Sequence, residues 1–133
     1  MKLDLKTLGY IKIFENYTGA SVKDCFVQGG NLNFIVKTGN IGRAIGKKGI
    51  NIKMLGGKFK RPIRVLEFND DVVKFVKNLI YPINVNVEKR GTKVVIVTED
   101  TKTKGFLFGR DKSKLKVMQE ILDRYFKIEI VIE

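Results

Sequence analysis

Two glycines that bracket two lysines form the segment of this sequence best suited to binding chemistry. The segment is Gly46-Lys47-Lys48-Gly49. Because glycine has no side chain, the backbone of another polymer can approach it closely, and the two lysines add positive charge. A helix that begins after Gly49 would also direct unpaired N–H groups and a partial positive charge at the same place. These features predict a site for the phosphate backbone of a nucleic acid.

The residues on either side of this segment extend the predicted site. Ile45, Ile50 and Ile52 would border an apolar groove in which unpaired bases could lie. A loop that clamps about four backbone nucleotides of single-stranded RNA is the recognition mode that fits these residues. The predicted RNA-contacting residues are Arg43, Ile45, Gly46, Lys47, Lys48, Gly49, Ile52 and Lys53.

The positive charge of the chain is concentrated around the same segment. The chain carries 26 Lys and Arg residues against 14 Asp and Glu residues, a net charge of +12, and no acidic residue occurs between Asp24 and Glu67. This surplus favours an anionic partner. Nucleic acid ranks ahead of a membrane surface, because the bases surround a glycine loop and do not follow an amphipathic helix. A solvated basic face without a partner is the alternative.

Several classes of function lack the residues that they need. The sequence has no His and one Cys, Cys25, so we expect no metal site, no cofactor and no enzymatic activity. Residues 42–48 faintly resemble a nucleotide-binding P-loop, but the spacing is one residue short and Lys48 replaces the Ser or Thr that would hold Mg²⁺. We therefore expect no small-molecule substrate. The sequence also shows no apolar run of about 18 residues and no secretory signal, and its lone Cys suits a reducing compartment. A cytoplasmic protein without membrane contact is expected.

The elements that must hold the loop follow from the apolar periodicity of the first half of the chain. A helix is predicted where apolar residues recur at i, i+3, i+4 and i+7, namely Tyr10, Ile13, Phe14 and Tyr17, and Gly19 would end it. Two strands and a hairpin turn come next, followed by a short helix, the loop, a second helix that ends at Gly56-Gly57, and a last strand. The predicted ranges after the first helix are 22–28, 32–37, 41–45, 50–55 and 64–68.

The second half of the chain repeats this order. Tyr10 and Val72 are 62 residues apart, and Gly46 and Gly109 are 63 apart. The predicted elements are a helix with Val72, Phe75, Val76 and Leu79 on one face, a strand with Ile83, Val85 and Val87, and the ranges 94–98, 103–108, 113–125 and 128–132. The acidic pairs Asp70-Asp71 and Glu99-Asp100 suit helix caps and turns. We predict an α+β fold of two domains, residues 1–69 and 70–133. Each would be helix-strand-strand-helix-helix-strand with a small three-stranded sheet.

The loop of the second half departs from that of the first. Lys112 stands where the second glycine would be, and Asp111 puts a negative charge where a phosphate should lie. We predict a weaker second RNA site formed by Gly109, Arg110, Lys112 and Lys114. Complete loss of RNA binding in this half is an equal alternative.

Residues 45–52 resemble the signature of a known family. They read Ile-Gly-Lys-Lys-Gly-Ile-Asn-Ile, which looks like the signature of KH domains, and the helix and hairpin before them resemble the type II form. Two such units, together with the segment from Phe14 to Cys25, resemble the archaeal NusA-like transcription factors over essentially the whole chain. The resemblance implies RNA contact by Gly46 to Gly49, a role in transcription elongation or termination, and association with RNA polymerase.

The sequence leaves two other functions possible and does not decide the role of one aromatic residue, Phe59. Type II KH domains also resemble parts of ribosome-associated and ribosomal-RNA maturation proteins, and a basic face could instead dock an acidic protein. Phe59 lies among Lys58, Lys60 and Arg61. It is either a ring on which a base stacks or a residue packed at the edge of the core.

Overall fold

The chain forms two compact units, Met1–Asn69 and Asp70–Glu133. The computed structural model describes residues 5–133, so the first four residues of the predicted first domain lie outside the described residues. Within the described range, each unit holds three α-helices and one three-stranded sheet. The architecture is therefore mixed α+β with two small sheets.

The elements of the first unit run in the predicted order. They are α1 (Leu5–Thr18), β1 (Val22–Gln28), β2 (Asn31–Val36), α2 (Ile41–Ile45), α3 (Ile50–Phe59) and β3 (Ile63–Glu67). β1 pairs antiparallel with β2, and β3 pairs parallel with β2 on its other side. The parallel pair requires a crossover connection, which α2 and α3 supply. The loop that joins these two helices therefore lies within the crossover.

Aromatic stacking and small buried residues anchor the helices of the first unit to its sheet. The rings of Phe14 on α1 and Phe34 on β2 stack with their centroids 4.1 Å apart. Ala44 of α2 and Leu55 of α3 are 0% and 1% exposed in the same cluster. Cys25 is 3% exposed in this cluster, where it packs as a small apolar side chain. Both helices beside the loop are thus fixed by a buried side chain.

The buried face of α1 differs from the predicted one. Phe14 is fully buried, whereas Ile13 and Tyr17 are 37% and 48% exposed. The inward face is centred on Phe14 and carries Tyr10 and Ile11, which are partly buried against the core. Spacings of three and four residues allow two neighbouring stripes on one helix, and stacking of Phe14 on the sheet selects one of them.

α3 continues past the two glycines that were expected to end it. The prediction of a helix end at Gly56-Gly57 is wrong, because α3 runs to Phe59 and ends where Lys60 adopts a left-handed conformation (φ 56°, ψ 39°). The helix gains enough packing at Phe59 to tolerate two residues of low helix propensity. Phe59 lies 5.0 Å from the ring of Tyr10 and 6.0 Å from that of Phe34, centroid to centroid.

The second unit repeats the topology of the first. Its elements are α4 (Val72–Ile80), β4 (Asn86–Arg90), β5 (Lys93–Val97), α5 (Thr101–Phe108), α6 (Ser113–Asp123) and β6 (Glu129–Ile132). β4 pairs antiparallel and β6 parallel with the central strand β5. The strand predicted around Ile83 and Val85 begins only at Asn86, so alternation of apolar residues overestimated its length.

Acidic residues begin two helices of the second unit, as predicted. The side chain of Asp71 accepts a 2.9 Å hydrogen bond from the backbone N–H of Val73, at the start of α4. The side chain of Asp100 accepts one from the N–H of Thr103, at the start of α5, and a second from the Thr103 hydroxyl. Each carboxylate satisfies an N–H that lacks a partner inside its helix.

Two features are absent from the part of the chain that the structure describes, a membrane-spanning helix and a cluster of metal ligands. No helix among residues 5–133 is long and apolar enough to cross a membrane. Across the same residues, no cluster of three or more Cys, Asp or Glu side chains could hold a metal ion.

Candidate nucleic-acid interface

The segment Gly46 to Gly49 is a tight turn between two helices. α2 ends at Ile45, residues Lys47–Gly49 form a tight turn with non-helical backbone angles at Lys48, and α3 begins at Ile50. The N–H of Gly46 donates to the carbonyl of Gly42 at 3.0 Å, and the N–H of Gly49 donates to the carbonyl of Gly46 at 3.2 Å. The turn is therefore closed by its own backbone hydrogen bonds.

Three of the four loop residues have positive φ angles. These are Gly46 (74°), Lys48 (55°) and Gly49 (73°). Glycine takes such angles without a steric penalty, whereas a residue with a Cβ pays about 1–2 kcal/mol in the left-handed region. Lys48 is the residue that bears this cost. The two glycines of the motif thus stand at positions where the backbone geometry favours glycine.

Gly46 also meets a second constraint, which comes from Asn51. A Cβ added to Gly46 would lie 2.7 Å from Nδ2 and 2.8 Å from Cγ of Asn51. Nδ2 of Asn51 donates a 2.8 Å hydrogen bond to the carbonyl of Arg43. Sequence reasoning did not single out Asn51, because apolar periodicity and charge carry no information about a polar residue that turns back onto the preceding helix.

The predicted contact residues are distributed over the loop and the two flanking helices. Their exposure differs. The side chains of Arg43, Lys47, Lys48 and Lys53 are exposed, and those of Ile45 and Ile52 are half-buried. Ile50 is 47% and Met54 is 53% exposed. Four residues apart, these two share a helix face, whereas Ile52 is offset from Ile50 by roughly 200° around the axis. Ile50 and Met54 therefore lie on one exposed face of α3, and Ile50 and Ile52 do not share a face.

The basic residues outside the loop are exposed or half-buried. Lys37, Lys58 and Lys60 are exposed, whereas Arg61 and Arg64 are half-buried. Burial lowers the pKa of the Arg64 guanidinium. Phe59 is half-buried and lies against Tyr10 and Phe34. Its surroundings favour the packing interpretation of this ring over base stacking.

The second unit carries a turn with the same backbone. Gly109 has φ 71° and ψ 173°, against 74° and 173° at Gly46, and Asp111 has φ 54° and ψ 33°, against 55° and 28° at Lys48. Lys112 adopts φ 63°, although it has a Cβ. The turn therefore forms although Lys112 stands where the second glycine would be.

Lys114 takes the place in the second turn that Asn51 has in the first. A Cβ on Gly109 would lie 2.7 Å from Cγ of Lys114 and 2.8 Å from its backbone N. The Nζ atom of Lys114 lies 3.4 Å from the centre of the Phe106 ring, a cation–π arrangement. Of the four predicted residues of the second site, Lys114 is thus engaged with Phe106, while Arg110 and Lys112 are exposed.

Comparisons with known proteins agree with this geometry. Residues 9–90 match the sequence model of the KH domain. A protein of Methanocaldococcus jannaschii named probable transcription termination protein NusA is 32% identical over 132 residues, which cover 96% of this chain and 72% of that protein. A protein of the same name from Halococcus morrhuae is 29% identical over 125 residues, covering 92% of this chain and 90% of that protein. The crystal structure of APE1850 matches with a TM-score of 0.79 at 32% identity, covering 98% of this chain and all of that one.

The extent of these matches decides the family. The KH match includes the whole first turn, and the archaeal relatives align along nearly the full chain. The chain therefore belongs to the KH-domain family and, within it, to the family of archaeal proteins named probable transcription termination protein NusA.

Proposed function

We propose that this protein binds single-stranded RNA through the turn Gly46–Gly49 and acts as a NusA-like factor in transcription elongation or termination. The observation that carries the proposal is the pair of exposed lysines, Lys47 and Lys48, on a tight turn immediately before α3. The N-terminus of that ten-residue helix adds a partial positive charge at the same place. A phosphodiester backbone is the ligand that such a turn suits best.

In this proposal the residues around the turn have separate roles. Lys47 and Lys48 contact phosphates, while Gly46 and Gly49 keep the turn free of side chains where the RNA backbone approaches. Arg43 and Lys53 are exposed on the helices before and after the turn and extend the positive surface. Ile45 and Ile52 support the turn, and the exposed pair Ile50 and Met54 offers apolar surface to unpaired bases.

Residues 1–69 and 70–133 are proposed to be two tandem type II KH-like domains. The repeated order of elements and the shared backbone of the two turns support this division. The second domain would hold a weaker RNA site at Gly109, Arg110 and Lys112, because Asp111 faces the ligand where Lys48 does in the first. Lys114 would contribute less than expected, since its ammonium group lies over Phe106.

The remaining proposals concern partners and class. The protein would be a non-enzymatic, cytoplasmic RNA-binding factor that associates with RNA polymerase and needs no cofactor. The names of its archaeal relatives support a role in transcription over one in ribosome maturation. Recovery with RNA polymerase, and not with ribosomal subunits, is the expected result of purifying a tagged protein from cells.

Fluorescence anisotropy of labelled single-stranded RNA across a salt series tests RNA binding. The variant Lys47→Asp/Lys48→Asp should bind much more weakly, and its log–log salt slope should be shallower by about 1.4, at roughly 0.7 for each lost phosphate contact. The control Lys74→Asp/Lys77→Asp changes two exposed lysines on α4 and alters the net charge equally. Equal losses in both variants would mean that only bulk charge matters, which would overturn the proposed clamp.

A further inference from the structure

Asn51 connects the helix before the first turn to the helix after it. Its side chain reaches back eight residues to the carbonyl of Arg43, with Nδ2 as donor at 2.8 Å. Arg43 lies in the five-residue helix α2, whose last carbonyls have no acceptor role inside the helix. Asn51 therefore donates a hydrogen bond to the Arg43 carbonyl, which has no partner inside its helix, and this bond joins the helices on the two sides of the turn.

The same side chain fills the space beside Gly46. Nδ2, Cγ and Oδ1 of Asn51 lie 2.7, 2.8 and 3.1 Å from the position of a Cβ on Gly46. The amide group thus occupies the space that a Cβ on Gly46 would need. Gly46 therefore lacks a side chain for two reasons. Asn51 occupies the space beside it, and the backbone of an approaching ligand needs close access.

In the second unit, Lys114 takes the position beside the glycine that Asn51 has in the first. Lys114 packs its Cγ beside Gly109, and its Nζ lies over Phe106, which is eight residues back, as Arg43 is from Asn51. Both side chains reach from the helix after the turn, α3 or α6, past a glycine to the helix before the turn. The two turns share their backbone angles. In both copies, a side chain from the helix after the turn packs beside the first glycine of the turn.

We infer that Asn51 is a positioning residue for RNA binding by the first turn. The inference rests on the proposed function of that turn. Left-handed residues such as Lys48 persist only when their surroundings hold them, and a turn that is ordered before RNA arrives loses less conformational entropy on binding. Asn51 ties α3 to the N-terminal side of the turn, through Arg43 and Gly46, without contributing charge to the interface.

Two measurements on Asn51→Ala and Asn51→Leu test this role. The first is amide hydrogen exchange of the free protein over residues 43–49, which reports how often the turn opens. The second is RNA affinity across a salt series. Asn51→Leu keeps a side chain of similar size beside Gly46 and removes the amide with its hydrogen-bond donor, so it serves if the alanine variant is poorly folded. Asn16→Ala changes an exposed asparagine on α1 and is the matched control.

The expected result combines faster exchange in the turn with RNA binding weakened about three- to tenfold, the range expected for one net hydrogen bond. The salt slope should stay the same, because no phosphate contact is lost. Weaker binding with unchanged exchange would mean that Asn51 touches RNA directly, and faster exchange with unchanged affinity would mean a purely structural role. Either result overturns the inference and leaves the clamp at Lys47 and Lys48 standing. Native protein that fails to bind RNA would overturn the proposed function itself.

Discussion

Lys112 of the second unit adopts the backbone conformation that Gly49 has in the first. Its φ and ψ are 63° and 23°, against 73° and 19° at Gly49. The loss of the second glycine therefore has not changed the path of the turn. What separates the two turns is the side chains that they present, above all Asp111 in place of Lys48.

The charge at position 111 should decide how well the second turn binds RNA. In a Lys47→Asp/Lys48→Asp background, where the remaining binding reports the second unit, we expect Asp111→Lys to raise RNA affinity. The salt slope should steepen by about 0.7, as for one added phosphate contact. A lysine fits here because Lys48 already holds the same left-handed angles.

The control for this gain is Glu99→Lys, which makes an equal change of charge at an exposed residue between β5 and α5. It should raise affinity less and leave the slope nearly unchanged. If both variants gained equally, long-range attraction would account for the effect and the second turn would not be a site.

Alanine at Gly46 should cost more stability than alanine at Gly49. Alanine at Gly49 (φ 73°, ψ 19°) carries the left-handed penalty of about 1–2 kcal/mol. Gly46 (φ 74°, ψ 173°) has an extended backbone with positive φ, which is essentially restricted to glycine and costs another residue about 1–3 kcal/mol. A Cβ at Gly49 meets no atom within 4 Å, whereas at Gly46 it meets Asn51 at 2.7 Å. We expect an additional loss of about 1–3 kcal/mol for Gly46→Ala, measured by urea unfolding.

A second substitution separates the two causes of this loss. Gly46→Ala/Asn51→Ala removes the clash and should recover part of the extra cost, leaving the backbone penalty. The corresponding pair in the second unit, Gly109→Ala/Lys114→Ala, should recover less, because the backbone N of Lys114 itself lies 2.8 Å from the added Cβ. Equal costs for Gly46→Ala and Gly49→Ala would contradict the importance of the Asn51 contact.

The order of the helices and strands could be predicted because it depends on the apolar periodicity of short runs of residues, which the sequence shows directly. β1 lies at the predicted residues, and α2 runs over the predicted Ile41–Ile45. Element ends were less predictable where tertiary packing competes with local preference. α3 passes two glycines because Phe59 gains contacts with Tyr10 and Phe34, which no local pattern reveals.

The internal support of the site was the least accessible to sequence reasoning. The loop and its lysines follow from residue type and spacing, but the contact of Asn51 with Gly46 depends on the turn bringing two residues face to face. The pairing of Lys114 with Phe106 is of the same kind. Both became visible only once the backbone angles of the turns were known.

The continuation of α3 through its glycines predicts a stabilising substitution. Gly57 lies inside the helix, has no positive φ, and a Cβ there would meet no atom within 4 Å. Gly57→Ala should therefore raise the free energy of unfolding by about 0.5–1 kcal/mol. Urea unfolding of the two proteins measures this. A neutral or destabilising effect would indicate that the helix ends at Leu55, as the glycines alone suggested.

Phe59 should matter for stability and not for RNA affinity. Phe59→Leu removes the ring contacts with Tyr10 and Phe34 while keeping an apolar side chain, so we expect a loss of about 1 kcal/mol. RNA anisotropy should be unchanged. A stacked base is worth about 1–3 kcal/mol, so a clear loss of RNA affinity in a folded variant would restore the base-stacking interpretation.

Asp100 should make the start of α5 sensitive to acid. Its pKa is lowered from the ordinary value of 3.8, first by the hydrogen bond from the backbone N–H of Thr103 and then by that from the Thr103 hydroxyl. A carboxyl whose pKa is lower when folded contributes its full stability above the unfolded value, and loses it as the pH falls through the folded value. The stability difference between native protein and Asp100→Ala should thus be constant above pH 3.8 and shrink below it.

Asp100→Asn, which can still cap the helix but cannot titrate, should retain its advantage over Asp100→Ala in acid. Denaturant unfolding of the three proteins at several pH values measures both differences, and a native advantage over Asp100→Ala that persists undiminished in strong acid would mean that the charged cap does not hold α5.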